Sequence, residues 1–200
     1  RLMAASLPAT ESSSGVRPVV WFTYDANGNV TSRHNPDGGV TEYEYNARNW
    51  VTRETMSADY RSIATEYSYY GDGLVYRETQ DGRITTYDYD DFGRTISVSY
   101  PAGNSRSWEY DPTGLLLAEI DGNGNRTEHS YDILGRRTST TLPEPDHIYH
   151  FAYDALSNLT YTEDPRGNTV TTTYDALSRQ VSESRSDGST QSWTYDPSGS

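Results

Sequence analysis

The sequence predicts an all-β protein built from antiparallel β-hairpin repeats of about 21 residues that form a continuous curved sheet. Three observations carry that expectation. Tyrosines return in step along the chain, residues alternate with period 2 between them, and nearly every period holds two turn signals. The recurring anchors are Tyr24, Tyr45, Tyr69, Tyr89, Tyr110, Tyr131, Tyr153, Tyr174 and Tyr195, spaced by 21, 24, 20, 21, 21, 22, 21 and 21 residues. Random ordering of this composition gives roughly 1.5 Tyr-Asp pairs. Eight occur, and seven of them lie in the register of the anchors.

The first element of each repeat is a chain reversal after the anchor. Tyr89-Asp90-Asp91-Phe92-Gly93-Arg94 and Tyr131-Asp132-Ile133-Leu134-Gly135-Arg136 are its fullest versions. Asp stands second after seven anchors and Gly fifth after six. An Asp oxygen can cap a tight turn, and Gly accepts the positive φ of a short hairpin loop with a bulge. A strand follows, then a second reversal about ten residues on: Pro36-Asp37-Gly38-Gly39, Asp81-Gly82, Pro101-Ala102-Gly103-Asn104, Asp121-Gly122-Asn123-Gly124, Pro165-Arg166-Gly167-Asn168 and Asp187-Gly188. The returning strand brings an aromatic two residues before the anchor in seven of nine repeats: Phe22, Tyr43, Tyr67, Tyr87, Trp108, Phe151 and Trp193. At that spacing ring and anchor share one face of a strand. Thr23, Glu44, Ser68, Asp88, Glu109, Ser130, Ala152, Thr173 and Thr194 face the other way. No segment keeps a 3.6-residue period for three turns, so no helix is expected.

Composition excludes several classes. Only 33% of the 200 residues are hydrophobic and mean hydropathy is −0.85, too little for a thick core. Yet 12% are aromatic, which argues against disorder and for folding by burial of rings. Sixteen arginines and no lysine stand against 29 acidic residues, a net charge of −13, which makes nucleic acid a poor partner. The absence of cysteine removes disulfides, thiol catalysis and zinc-thiolate sites, and points to a bacterial source. The longest apolar runs, Val19-Val20-Trp21-Phe22 and Leu115-Leu116-Leu117-Ala118, fall far short of the roughly 20 residues of a membrane-spanning helix. No signal-peptide centre occurs in residues 1–15, so secretion or export is expected to be directed from outside this chain.

The pattern Tyr-Asp-x-x-Gly-Arg, followed by a strand, a Gly turn and an aromatic strand, resembles the YD repeat of the Rhs family. Tyr89 to Arg94 and Tyr131 to Arg136 match it in full, and the resemblance runs from Phe22 to Ser200. Members include bacterial Rhs polymorphic toxins, C components of Tc toxins, wall-associated proteins and teneurins. Departures are Asn46 and Tyr70 for the Asp, Asn49, Ser157 and Ser178 for the Gly, and a sixth position that is Arg only at Arg94, Arg136 and Arg179. The resemblance implies a β-sheet ribbon wound into a hollow shell that encloses a C-terminal toxin effector before delivery by bacterial export machinery. The partners it implies are the rest of the same polypeptide, with further YD repeats and the enclosed toxin, and secretion-system components. In the family a closing domain with aspartate-dependent self-cleavage follows the repeats. Asp111-Pro112-Thr113-Gly114 sits in register as an ordinary turn, so no proteolytic residue carries over.

Catalytic, cofactor and metal sites are expected to be absent. His147 and His150 have an H-x-x-H spacing, but three residues apart on a strand they point to opposite faces. His34 and His129 are isolated. Asp25-Ala26-Asn27-Gly28-Asn29 and Asp121-Gly122-Asn123-Gly124-Asn125 are similar to the start of a calcium loop, yet Arg126 stands where the second would need Gly, so hairpin turns are expected. Asp90 and Asp91 form a carboxylate pair whose register puts both in a solvated turn. No nucleophile elbow or phosphate loop is present.

The expected organisation is a pre-repeat segment over 1–20 and a YD-repeat array over 21–200, about eight full repeats truncated in the ninth, and so a piece of something longer. The competing reading is a cell-surface adhesion or carbohydrate/protein-binding module that uses exposed Tyr and Trp rows. Protruding loops are expected around Ser57 to Ser62, where the spacing lengthens to 24, and at Leu142-Pro143-Glu144-Pro145-Asp146.

Overall fold

A computed structural model of the chain describes residues 3–6 and 19–196. Among them every regular element is a strand, and the chain divides into two compact units, residues 1–104 and 105–200. The expected continuation after Tyr195 into an interrupted turn falls on 197–200, outside the described residues.

The first unit is an antiparallel meander of β1 (Met3–Ser6), β2 (Val19–Tyr24), β3 (Val30–His34), β4 (Val40–Tyr45), β5 (Val51–Ala58), β6 (Arg61–Tyr69), β7 (Val75–Gln80), β8 (Arg83–Tyr89) and β9 (Thr95–Ser99). Each strand pairs with the next. β1 pairs Met3 with Phe22 through Ser6 with Val19. The second unit repeats the scheme with β10 (Ser105–Tyr110), β11 (Leu116–Ile120), β12 (Arg126–Tyr131), β13 (Arg137–Thr141), β14 (Ile148–Tyr153), β15 (Leu159–Glu163), β16 (Thr169–Tyr174), β17 (Gln180–Arg185) and β18 (Thr190–Ser192).

The turns follow the chemistry read from the sequence. After Tyr24, the Asp25 N–H donates to Asn29 O at 2.9 Å and the Gly28 N–H to Asp25 O at 3.3 Å, closing a three-residue loop that ends on Gly28 at φ 89°. Asn49, Ser157 and Ser178 replace Gly at the same place and hold it at φ 61°, 67° and 59°, so the loop survives without glycine. Tyr70 replaces Asp and keeps the loop too, donating its N–H to Leu74 O at 2.8 Å. In all eight anchor hairpins the register shifts between the anchor and the residue before it, from Thr23/Tyr24 to Thr173/Tyr174. That bulge is the extra residue such a loop demands.

One of the two expected loops is overturned. Residues 57–62 form no protrusion: the added residues lengthen β5 and β6 to eight and nine residues, and pairing continues through Ser57↔Ser62 to Ala58↔Arg61. Asp59 and Tyr60 close it as a two-residue turn, both left-handed at φ 47° and 65°. Extending a ladder satisfies backbone groups that a loop would leave to water. The other expectation holds, for Leu142 to His147 is a longer connection, closed by Leu142 N–H to His147 O at 2.8 Å.

Burial is shallow. The buried apolar residues are Val20, Val98 and Ala118, and no large side chain is fully enclosed among the described residues. On β4, Tyr43 and Tyr45 are half-buried while Glu42 and Glu44, which alternate with them, are exposed, the two-faced pattern that the period of 2 predicts. Cross-strand pairs and ladder hydrogen bonds therefore hold the strands of each unit together.

Candidate functional site

The most regular chemistry lies along the anchor turns. The Asp after the anchor accepts two backbone N–H groups on one oxygen: Asp132 Oδ1 takes Leu134 and Arg136 at 2.9 and 3.0 Å, and Asp25, Asp90, Asp111, Asp154 and Asp175 do the same in their own turns. Asn46 reproduces the arrangement with its amide oxygen. Where the sixth position is Arg or Asn, its side chain donates to the other Asp oxygen, as Arg136 Nε does to Asp132 at 2.6 Å and Asn158 Nδ2 to Asp154 at 2.9 Å. These donors stabilise the ionised form. The Arg136 side chain first, then the backbone N–H groups, hold Asp132 below the usual carboxylate range, and Asn158 begins the same list for Asp154. Asp121 and Asp164 make identical clamps at second reversals.

Two kinds of contact recur between one repeat and the one before it. Anchor hydroxyls donate to a backbone carbonyl of the preceding repeat: Tyr45 to Val30 at 2.8 Å, Tyr69 to Val51 at 2.5 Å, Tyr89 to Val75 at 2.9 Å, Tyr131 to Leu116 at 2.8 Å, Tyr174 to Leu159 at 3.0 Å and Tyr195 to Gln180 at 2.7 Å. Each accepting residue stands two positions outside the ladder toward the next strand. β11 and β12, for example, begin pairing at Ala118↔Glu128, beyond Leu116. At these six anchors the hydroxyl does what Phe could not do. The sixth-position side chain forms the second contact, reaching the left-handed residue of the following turn: Asn29 to Asn49, Trp50 to Gly73, Leu74 to Gly93, Leu115 to Gly135 and Arg136 to Ser157. Arg136 also donates to Asp154 O at 2.7 Å and lies 4.9 Å over the Tyr153 ring, and Arg179 lies 4.5 Å over Tyr195.

The residues weighed for catalysis or metal binding are dispersed. His147 lies in the 142–147 connection and His150 on β14, both exposed. His34 stacks on Trp21 with centroids 3.4 Å apart. His129 is buried beside Thr140 and Glu119, and burial first, with Arg137, pushes its imidazole below its ordinary range. Among the described residues no three of His, Cys, Asp or Glu converge so as to hold a metal ion. Asp25 and Asp121 are turn clamps, Asp90 pairs with Arg94 at 2.6 Å, and Asp91 is exposed at the turn tip. Sequence reasoning did not find the contacts between repeats; the alternation of Asn, Arg, Leu and Trp at the sixth position was the available signal.

Comparison with known proteins places the repeat. The family model described as RHS Repeat matches residues 24–61 and 110–146. The tRNA3(Ser)-specific nuclease WapA of Bacillus spizizenii is 32% identical over 146 residues, covering 71% of this chain and 6% of that protein. Teneurin-4 of Mus musculus is 26% identical over 161 residues, covering 70% of this chain and 6% of that protein. Among solved structures, the crystal structure of TcdB2-TccC3-Cdc42 matches with a TM-score of 0.73 at 15% identity, over 90% of this chain and 11% of that one. The chain thus spans a small fraction of the length of the proteins it matches.

Proposed function

The chain belongs to the RHS/YD-repeat family, and from that premise we propose that it is a stretch of wall in a bacterial toxin-type shell that encloses a C-terminal effector. The observation that carries this reading is a sheet of clamped hairpins with almost no buried apolar side chains, matched in fold to a Tc toxin structure. Such a sheet can be extended repeat by repeat, because the same two kinds of contact, an anchor hydroxyl and a sixth-position side chain, recur between successive repeats. The role is structural rather than catalytic. A pre-repeat segment over 1–20, an array over 21–200 and delivery by bacterial export machinery belong to the same proposal, as do further repeats, the enclosed effector and secretion components as partners.

Limited proteolysis of the full-length protein tests it. The expected result is a C-terminal segment that resists protease until the repeats are cut or unfolded. Immediate digestion of that segment with the repeats intact would overturn the reading in favour of a surface-binding module.

A further inference from the structure

The left-handed residue of each anchor turn comes in two kinds, and so does the sixth-position side chain that the preceding repeat places before it. Where that side chain is apolar the residue is Gly: Trp50 precedes Gly73, Leu74 precedes Gly93 and Leu115 precedes Gly135. Where the residue has a side chain of its own, the group before it is polar: Asn29 precedes Asn49, Arg136 precedes Ser157 and Asn158 precedes Ser178. Arg94 precedes Gly114, so Gly accepts either neighbour.

The contacts supply the reason. A Cβ at Gly73 would lie 3.1 Å from Trp50 Cζ2, and one at Gly93 or Gly135 would touch the methyls of Leu74 or Leu115 at 3.6 and 3.7 Å. A polar side chain there would displace the apolar cover or stand against it without a donor. In the other kind the two side chains bond: Asn29 Nδ2 donates to Asn49 Oδ1 at 2.8 Å, and Arg136 Nη1 to Ser157 Oγ at 3.3 Å. Gly38, Gly82, Gly103, Gly124, Gly167 and Gly188 of the second reversals are also left-handed, yet a Cβ at any of them would meet nothing within 4 Å. The contact therefore belongs to the row of turns in which one repeat covers the next, not to left-handed backbone as such.

We propose that these two positions form a matched pair that determines which hairpin can follow which: an apolar sixth residue takes a turn with Gly at the left-handed place, and a turn with a polar side chain there takes a polar sixth residue. Successive repeats share their strands, anchor and turn clamp, so a hairpin docked on the wrong neighbour would keep its ladder and its own turn. The pair opposes that exchange by a clash or an unpaired polar group, which is specificity by exclusion as well as by contact. This inference concerns the order of repeats and holds whether or not the sheet encloses a cargo.

Two double-mutant cycles, read by urea denaturation of the whole chain, test it. In the first, Gly73→Ser is made alone and together with Trp50→Asn, which installs the residue type that Asn29 and Asn158 already supply at that place. Gly73→Ser should raise the unfolding constant at least about fivefold more in the parent chain than in the Trp50→Asn background. In the second, Arg136→Leu is made alone and together with Ser157→Gly, and the double variant should recover at least about threefold. The bonds of Arg136 to Asp132 and Asp154 are lost in both arms of that cycle and cancel. Gly28→Ser, in a turn where a new Cβ meets nothing within 4 Å, measures the cost of the left-handed backbone alone, and Gly73→Ser should exceed it. Circular dichroism establishes folding, and Leu115→Asn with Gly135→Ser takes the place of the first cycle should Trp50→Asn itself not fold. A Gly73→Ser chain that fails to fold and is restored by Trp50→Asn supports the matched pair; one that is not restored overturns it. Effects additive to within about twofold in either cycle, or a Gly73→Ser cost no larger than that of Gly28→Ser, would overturn it as well.

Discussion

Replacing Tyr131 by Phe removes one oxygen and leaves the ring in place. The lost group is the donor of the 2.8 Å bond to Leu116 O, a carbonyl outside the β11–β12 ladder. A hydrogen bond of this kind contributes about 0.5–1.5 kcal/mol net. The site is half-buried, so water recovers part of the loss, and a cost of about 1 kcal/mol is expected. For a chain of this length that corresponds to a fall in Tm of about 2–4 °C. The internal control is Tyr153→Phe. Tyr153 is also an anchor, but its ring carries Arg136 and its hydroxyl donates to no carbonyl among the described residues, so its loss should stay within about 0.5 kcal/mol. Urea denaturation with an unchanged m-value measures both. Equal costs for the two variants, or a neutral Tyr131→Phe, would refute the argument that the anchors are tyrosines because their hydroxyls complete the backbone of the preceding repeat. Extended to Tyr45, Tyr69 and Tyr89 together, the same reasoning predicts a loss of about 3 kcal/mol if the sites act independently.

Three further outcomes follow from the same geometry. Gly73→Ala should cost more than Gly28→Ala by about 1 kcal/mol or more, because both positions have positive φ but only at Gly73 would the new Cβ meet a neighbour, the Trp50 ring at 3.1 Å; thermal melts of the two variants decide it. The turn aspartates Asp25, Asp111, Asp121, Asp132, Asp154, Asp164 and Asp175 all titrate below their ordinary value in the folded chain, so their stabilisation is full above the unfolded carboxylate pKa and is lost as pH falls through the depressed range. Tm should therefore be level from neutral pH to about 5 and decline below about 4, and a Tm that stays level to pH 2 would contradict the clamp. At the alkaline end, burial first and then the Glu78 hydrogen bond push Tyr87 up to about 12, and burial raises Tyr43, Tyr45, Tyr67, Tyr69 and Tyr89 as well. Their raised folded values stabilise the chain below pH 10 and lose that effect as pH rises toward 12, so absorbance titration at about 295 nm should resolve a late tyrosine class that merges with the rest in urea.

The repeat, its strands, its paired turns and the two-faced alternation of rings and polar residues were legible in the sequence, because each depends on residues a few positions apart: an Asp oxygen reaching N–H groups two and four residues on, and a positive φ three residues after that Asp. The same local logic placed Asp25, Asp121 and Asp90 in turns, where each accepts backbone N–H groups. It failed at Asp59-Tyr60, where a dipeptide without Gly makes a two-residue turn because pairing of the lengthened β5 and β6 outweighs its local preference. What only the tertiary structure decided is how one repeat meets the next: which carbonyl an anchor hydroxyl completes and which turn a sixth-position side chain covers. Those contacts join residues 14 to 23 apart whose distance is set by strand spacing and by the bulge at each anchor, quantities that no periodicity in the sequence encodes.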